Sequence, residues 1–300
     1  MRKLVLLALV GFAAQLVDGS LGMGYGVTSG TLLIAGGLSP VAASAAIHFS
    51  EIGTSLVSGA SHHALGNVDW RTVSILAAPG FVGAFVGATL LATADAATAR
   101  VGVAAILLAL GGYVTWRFLV PRRLRFAGRF SARFLGPVGL VAGLLDAVGG
   151  GGWGPVGTTT MLSSGRLEPR KVVGSVDTAE FVVTIGASLG FLIALGTQGI
   201  DWAYAAALLV GGVIAAPIAA TLVRYLPARV LGVTAGGLIV LTNLRTLADA
   251  AGVPGVTTGL LAAATVTMWV LWISWAVKLD QAERMGGTLR PGDLVAARLD

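Results

Sequence analysis

The chain has 300 residues, of which 55% are apolar and only 11% charged, with a mean hydropathy of +0.85. Soluble domains carry about 25% charged residues, so this composition excludes a water-soluble fold and points to an all-α integral membrane protein. The net charge of +6 comes from arginines in short loops between apolar runs, where membrane topology accounts for them without a nucleic-acid partner, and the lack of cysteine excludes disulfides and thiolate metal sites.

The first element, "MRKLVLLALVGFAAQLVDG", has the basic start and apolar run of a signal peptide. Against that reading, residues 138–146 repeat it deep inside the chain, where a cleaved leader has no reason to be duplicated. Two apolar arms, 4–17 and 27–38, follow one another across a glycine-rich break. As one helix, 4–38 would be about 52 Å long, against a hydrocarbon core of about 30 Å. Each arm alone is too short to cross comfortably, so a re-entrant hairpin with the glycines at its tip is expected. Next come a helix bearing "SPVAASAAIHFSEIG", the loop "ALGNVDW", and apolar runs at 72–92 and 101–118.

A basic linker, "PRRLRFAGRFSAR", then precedes a second pair of short arms, 135–148 and 154–165. Set over the first half at an offset of 128, Val10, Gly11, Ala14, Leu16, Asp18, Gly22, Gly24 and Gly26 all meet identical residues. After a one-residue shift Pro40 pairs with Pro169 and Glu51 with Glu180; further on, "ALGNVDW" meets "ALGTQGIDW" and "GFVGAFVGATLL" meets "GVIAAPIAATLV". The chain is a duplication. Its expected organisation is a first repeat 1–120, a cytoplasmic linker 121–134, a second repeat 135–248, an extra transmembrane helix 249–278 and a polar cytoplasmic tail 279–300.

Charge favours one topology. If each hairpin makes no net crossing and the linker is cytoplasmic, every Lys and Arg except Arg2, Lys3, Arg100 and Arg245 lies inside. A single kinked crossing by each broken segment would instead divide them evenly. Full crossing by both arms gives the same parity as the hairpin, so charge leaves that choice open. Either way each half crosses an odd number of times, so the halves are inverted repeats, each a glycine-tipped hairpin plus three transmembrane helices. Inverted repeats with broken helices are a recurring transporter architecture.

Irregular backbone survives at membrane depth only when it is buried in protein or lines a cavity. The tips combine glycine, helix N-termini suited to an anion, and hydroxyl donors. The expected substrate-binding set is therefore Asp18, Gly22, Gly24, Tyr25, Gly26 and Thr28 with Asp146, Gly150, Gly151, Gly152, Trp153, Gly154 and Thr158; Thr159 and Thr160 are further donors. Tight helix packing through glycines is the plainer alternative, and no strand or soluble βαβ unit surrounds Gly22 to make it a dinucleotide loop. Tyr25 and Trp153 either gate the pocket or pack the core, while Trp70 and Trp202 fit membrane–water anchors.

The segments "GFAAQLVDGSLGMGYG" and "GLVAGLLDAVGGGGWG", the proline past each tip and the "GNVDW" loop resemble the TauE/SafE (toluene-sulfonate uptake permease) family over residues 5–247. The resemblance implies a plasma-membrane permease that exports sulfite, sulfonates or related small anions, with no enzyme activity and no cofactor. The apolar run 256–277 looks like an addition to the family's pattern. Asp18, Asp146, "HFSE" and "DTAE" are more charged than the family pattern, which bears on substrate more than on fold.

His48, Glu51, Asp177 and Glu180 fall within membrane segments, and each pair is three apart on one helix face; His62 and His63 sit near one helix end. Intramembrane ionisable groups are functional candidates. Fully ionised, they would repel an anion, so these four are expected to carry protons exchanged during transport. The structural alternative is that the acids cap broken helices or bond across the bundle, Asp18 and Asp146 especially. A rival function is transport of a divalent metal such as Zn or Ni, with His48 and Glu51 completed by Asp177 and Glu180. A non-transporting accessory protein is a third reading; an intramembrane hydrolase lacks an arranged serine or metal motif. The oligomeric state, a homodimer included, is open.

Overall fold

A computed structural model describes residues 2–120, 128–164, 166–223, 225 and 227–284; half of the linker 121–134 and most of the tail 279–300 lie outside them. The described residues form no strand. They fold into α1 (Arg2–Leu21), α2 (Tyr25–Ala35), α3 (Pro40–Ala64), α4 (Trp70–Thr93), α5 (Ala96–Leu119) and α6 (Ala132–Gly149). After a π-turn at Gly154–Thr158 come α7 (Thr159–Ser164), α8 (Pro169–Leu195), α9 (Trp202–Leu222), α10 (Ala228–Ala250) and α11 (Gly255–Arg284). Six of them, α1, α4, α6, α8, α9 and α11, are long and apolar enough to cross a membrane.

Local chemistry sets the boundaries. Ser39 caps α3 by accepting from the Ala42 N–H at 3.2 Å, with Pro40 in the first turn, where its missing N–H costs nothing. Asp69 accepts from the Thr72 N–H at 2.8 Å and Asp201 from the Tyr204 N–H at 3.1 Å, which explains why an Asp-Trp pair opens both α4 and α9. Asp95 caps α5 in the same way, and the Thr98 hydroxyl and N–H hold its carboxyl below the usual range.

The first arms are longer than the sequence suggests. α1 has 20 residues and α6 has 18, about 30 and 27 Å, so the expected arms 4–17 and 135–148 are corrected to helices that reach across most of a bilayer. Helix α1 continues through Asp18 and Gly19, with Gly19 packed against Ala219 of α9. It ends at Gly22, whose φ of 67° is left-handed, and α6 ends at its counterpart Gly150, φ 66°.

Leu4 and Leu7 of α1 belong to one hydrophobic cluster with Leu33 and Ile34 of α2 and Leu38 just beyond it. In the second half, Arg166 beyond α7 sits over Phe130 and Phe134 and donates to the Arg129 carbonyl, at the start of α6. The hairpins enter from opposite ends of the bundle. α1 starts beside α9, with Lys3 4.8 Å from the Tyr204 ring, while α6 starts beside the first half of α4, Gly139 against Leu76. Between them, α8 runs alongside α4 from Asn67 to Phe85, so the starts of α4 and α9 lie at opposite ends.

Packing exchanges the halves. α4 packs on α6 and α8, and their counterparts α9 on α1 and α3; α3 faces α8, α5 faces α10, and α11 rests on α10. These contacts pass through small residues, which let backbones approach. A side chain at Gly143 would run into the Gly80 carbonyl, whereas Gly112 faces open space. Alanine at either site gains about 1 kcal/mol of helix propensity, but overpacking costs about 1–3 kcal/mol. Gly143→Ala is therefore expected to lower the thermal midpoint of the detergent-solubilised protein, and Gly112→Ala to leave it unchanged or raise it.

Candidate functional site

The two glycine tips meet inside the bundle. Thr158 Oγ1 donates to the Gly22 carbonyl at 2.5 Å. Gly26, in the first turn of α2, lies so close to Gly150 and Gly151 that no Cβ fits, and Gly154 approaches Gly22 and Met23 in the same way. Residues 18–26 and 146–154 thus form one junction, reached from opposite ends of the bundle.

At this junction each tip aspartate closes the break in its own half. Asp18 Oδ1 accepts from the Tyr25 N–H at 3.3 Å, and Asp146 Oδ1 from the Trp153 N–H at 3.0 Å. A carboxylate thereby faces the partially positive start of each second arm. Those helix starts, which in sequence look ready for an anion, already have the protein's own acids beside them. The hydroxyl donors are engaged too: Thr158 on Gly22, and Thr159 on the Pro155 carbonyl. Thr28 lies at the half-buried side of α2. Tyr25 and Trp153 are core side chains, Tyr25 OH paired with Ser50 Oγ at 3.0 Å and Trp153 Nε1 donating to the Val176 carbonyl at 3.0 Å. Their rings lie against Gly212 and Gly80 respectively, at equivalent points of α9 and α4.

The intramembrane charges group into two triads of mutually close side chains. His48 and Glu51 of α3 converge with Asp146 of α6; Asp177 and Glu180 of α8 converge with Asp18 of α1. In each triad the ligating atoms lie within 4.8 Å of one another. The duplication maps one triad onto the other, and in both the third member comes from the opposite half. The rival metal reading groups His48 and Glu51 with Asp177 and Glu180; the crossing hairpins place a tip aspartate beside each pair. All six groups are buried, with Glu180 the most accessible at 5%.

The histidines have distinct duties. His62 Nε2 lies 2.9 Å from the Gly19 carbonyl and 3.5 Å from Asp177 Oδ2, and its Nδ1 takes the Asn67 amide at 3.2 Å. Both ring nitrogens of His62 are thus fixed by protein. His63, at the surface, meets the Trp70 indole at 3.3 Å. His48 keeps Nε2 for Asp146, at 3.2 Å.

Sequence reasoning missed the hydroxyls and the amide around these groups. Ser58 donates to Asp177, and Ser44 to the Ala147 carbonyl. Gln15 of α1 is buried beside Gly19 and Ser58 with its Nε2 unpartnered. A signal was present: buried Ser44, His48, Glu51, Ser55, Ser58 and His62 recur every three or four residues, one polar stripe along α3.

The capping role makes a separable prediction. Asp18→Ala leaves the buried Tyr25 N–H without an acceptor, at a cost of about 1–3 kcal/mol, whereas Asp18→Asn keeps an oxygen for it. Thermal unfolding in detergent should therefore rank wild type and Asp18→Asn together, well above Asp18→Ala. Equal losses in both variants would show that the charge, not the cap, stabilises the tip.

Comparison with known proteins agrees with the six membrane-capable helices. The sequence profile described as "Sulfite exporter TauE/SafE" matches residues 7–246. The chain is 47% identical over 250 residues to "Probable membrane transporter protein YtnM" of Bacillus subtilis (strain 168), covering 82% of this chain and 83% of that protein. No solved structure matches. A multi-pass membrane protein built on these doubled glycine tips, the chain belongs to the TauE/SafE sulfite exporter family.

Proposed function

We propose that this membrane transporter moves sulfite or a related small sulfur oxyanion through the junction of its two glycine tips, using two inverted repeats that open alternately. The observation that carries the reading is the pair of duplication-related triads, each buried and completed by the tip aspartate of the opposite half. A site shared between two halves changes when the halves move relative to one another, which is what alternating access requires. The family description supplies the substrate class.

The orientation follows from charge. Arg166, Lys171 and Arg229 bond to the Arg129, Val68 and Phe118 carbonyls, gathering basic residues at the linker end of the bundle. The positive-inside rule makes that end cytoplasmic. In this reading the tip glycines expected from the sequence are joined by Gln15, whose buried amide offers an unspent donor.

Three carboxylates packed together would repel an oxyanion. In this reading protons carried by Asp18, Asp177 and Glu180 accompany the substrate, with His62, Glu51 and Asp146 as the neighbouring ionisable groups. Reconstituted protein should accumulate radiolabelled sulfite when a proton gradient is imposed. Glu180→Gln should abolish gradient-driven accumulation while retaining sulfite counterflow. Full gradient-driven uptake by Glu180→Gln would overturn the coupling, and no sulfite or sulfonate flux in either assay would overturn the substrate class.

A further inference from the structure

Among the described residues, only one of the two triads contains an imidazole. His48 Nδ1 lies 2.8 Å from the Ser44 carbonyl. A carbonyl only accepts, so Nδ1 carries the hydrogen and Nε2 of the neutral ring presents a lone pair. That lone pair faces Asp146 Oδ2 at 3.2 Å and Glu51 Oε2 at 4.0 Å. Glu51 is 2% exposed, and its Oε2 has no hydrogen-bond partner. Three electron-rich atoms facing one another in a dry interior need positive charge between them.

We propose that His48 Nε2, Glu51 Oε2 and Asp146 Oδ2 bind one divalent transition-metal ion. The donor set of one imidazole and two carboxylates suits zinc, nickel or cobalt better than magnesium or calcium, whose sites are built from oxygen. The supporting groups are those of a metal site. The Ser44 carbonyl orients the imidazole, and the Trp153 N–H holds the other oxygen of Asp146. Three protein ligands are the number that leaves a zinc ion a further position for water or an anion. The counterpart triad of Asp18, Asp177 and Glu180 has carboxylates only; the imidazole beside it, His62, has Nε2 at the Gly19 carbonyl and Nδ1 at the Asn67 amide, so it offers no free nitrogen. The ligand set differs from the one the sequence suggests, because Asp177 and Glu180 belong to the other triad. The inference stands apart from the substrate proposed above, since it concerns binding and not flux.

The test titrates the purified, metal-stripped full chain in detergent with cobalt and zinc chloride, read by calorimetry and by the visible absorption of cobalt. Wild type should bind one equivalent with a nitrogen-containing cobalt spectrum. Glu51→Gln, which removes a charge from an oxygen that bonds nothing, should weaken binding at least about tenfold, and His48→Gln should also abolish that spectrum. Glu180→Gln should bind as wild type. If His48→Gln fails to fold, Glu51→Gln alone decides. No saturable binding by wild type would mean that a proton, not a metal, bridges His48 and Asp146; that result overturns the proposal. So does binding that survives Glu51→Gln, or that is lost equally in Glu180→Gln.

Discussion

A helix interrupted inside a bilayer leaves the first N–H groups of its continuation without partners, and lipid supplies none. Asp18 and Asp146 meet that demand from the last turn of the preceding helix, each reaching seven residues forward to the N–H of Tyr25 or Trp153. Because the carboxylate does this from within the tip, no loop is needed to wrap the break. The tip stays narrow enough for its counterpart to pass beside it, glycine backbone against glycine backbone. The meeting of the tips therefore depends on this pair of side-chain-to-backbone bonds.

Once the tips cross, the rest of the polar core is constrained. Each aspartate arrives next to the long helix of the other half, where an acid and a second ionisable group wait one turn apart. The burden of burying these charges falls on α3 and α8, which face each other and carry hydroxyls along their shared side. The outer helices are free of that burden. α11 in particular is almost wholly uncovered, with only 6% of its most apolar stretch buried within the chain, as expected of a surface turned toward lipid.

Much of this was legible in the residues. The composition announced a membrane protein, and the offset of Asp18 to Asp146 and Gly22 to Gly150 located both breaks. What the sequence understated was how far α1 and α6 run, because a glycine weakens a helix without ending it unless it turns left-handed: Gly22 and Gly150 do, whereas Gly19 stays helical against Ala219. Nor could the sequence assign Asp146 to His48 and Glu51. That contact spans 98 positions along the chain from His48 and exists only because two hairpins cross. The roles of Thr158 and Thr159 were unreadable for a related reason: a hydroxyl's partner depends on which carbonyl the fold brings near.

The duplication leaves one conspicuous mismatch, since the position that is His48 in one half is Asp177 in the other. His48 lies eight residues into a helix that starts at one end of the bundle, and Asp177 eight residues into a helix that starts at the other. Two sites related by the duplication thus differ in chemistry, an imidazole on α3 standing where α8 has a carboxylate. With every acid ionised and the imidazole neutral, one site would hold two negative charges and the other three, so equivalent places in the two halves need not hold the same load.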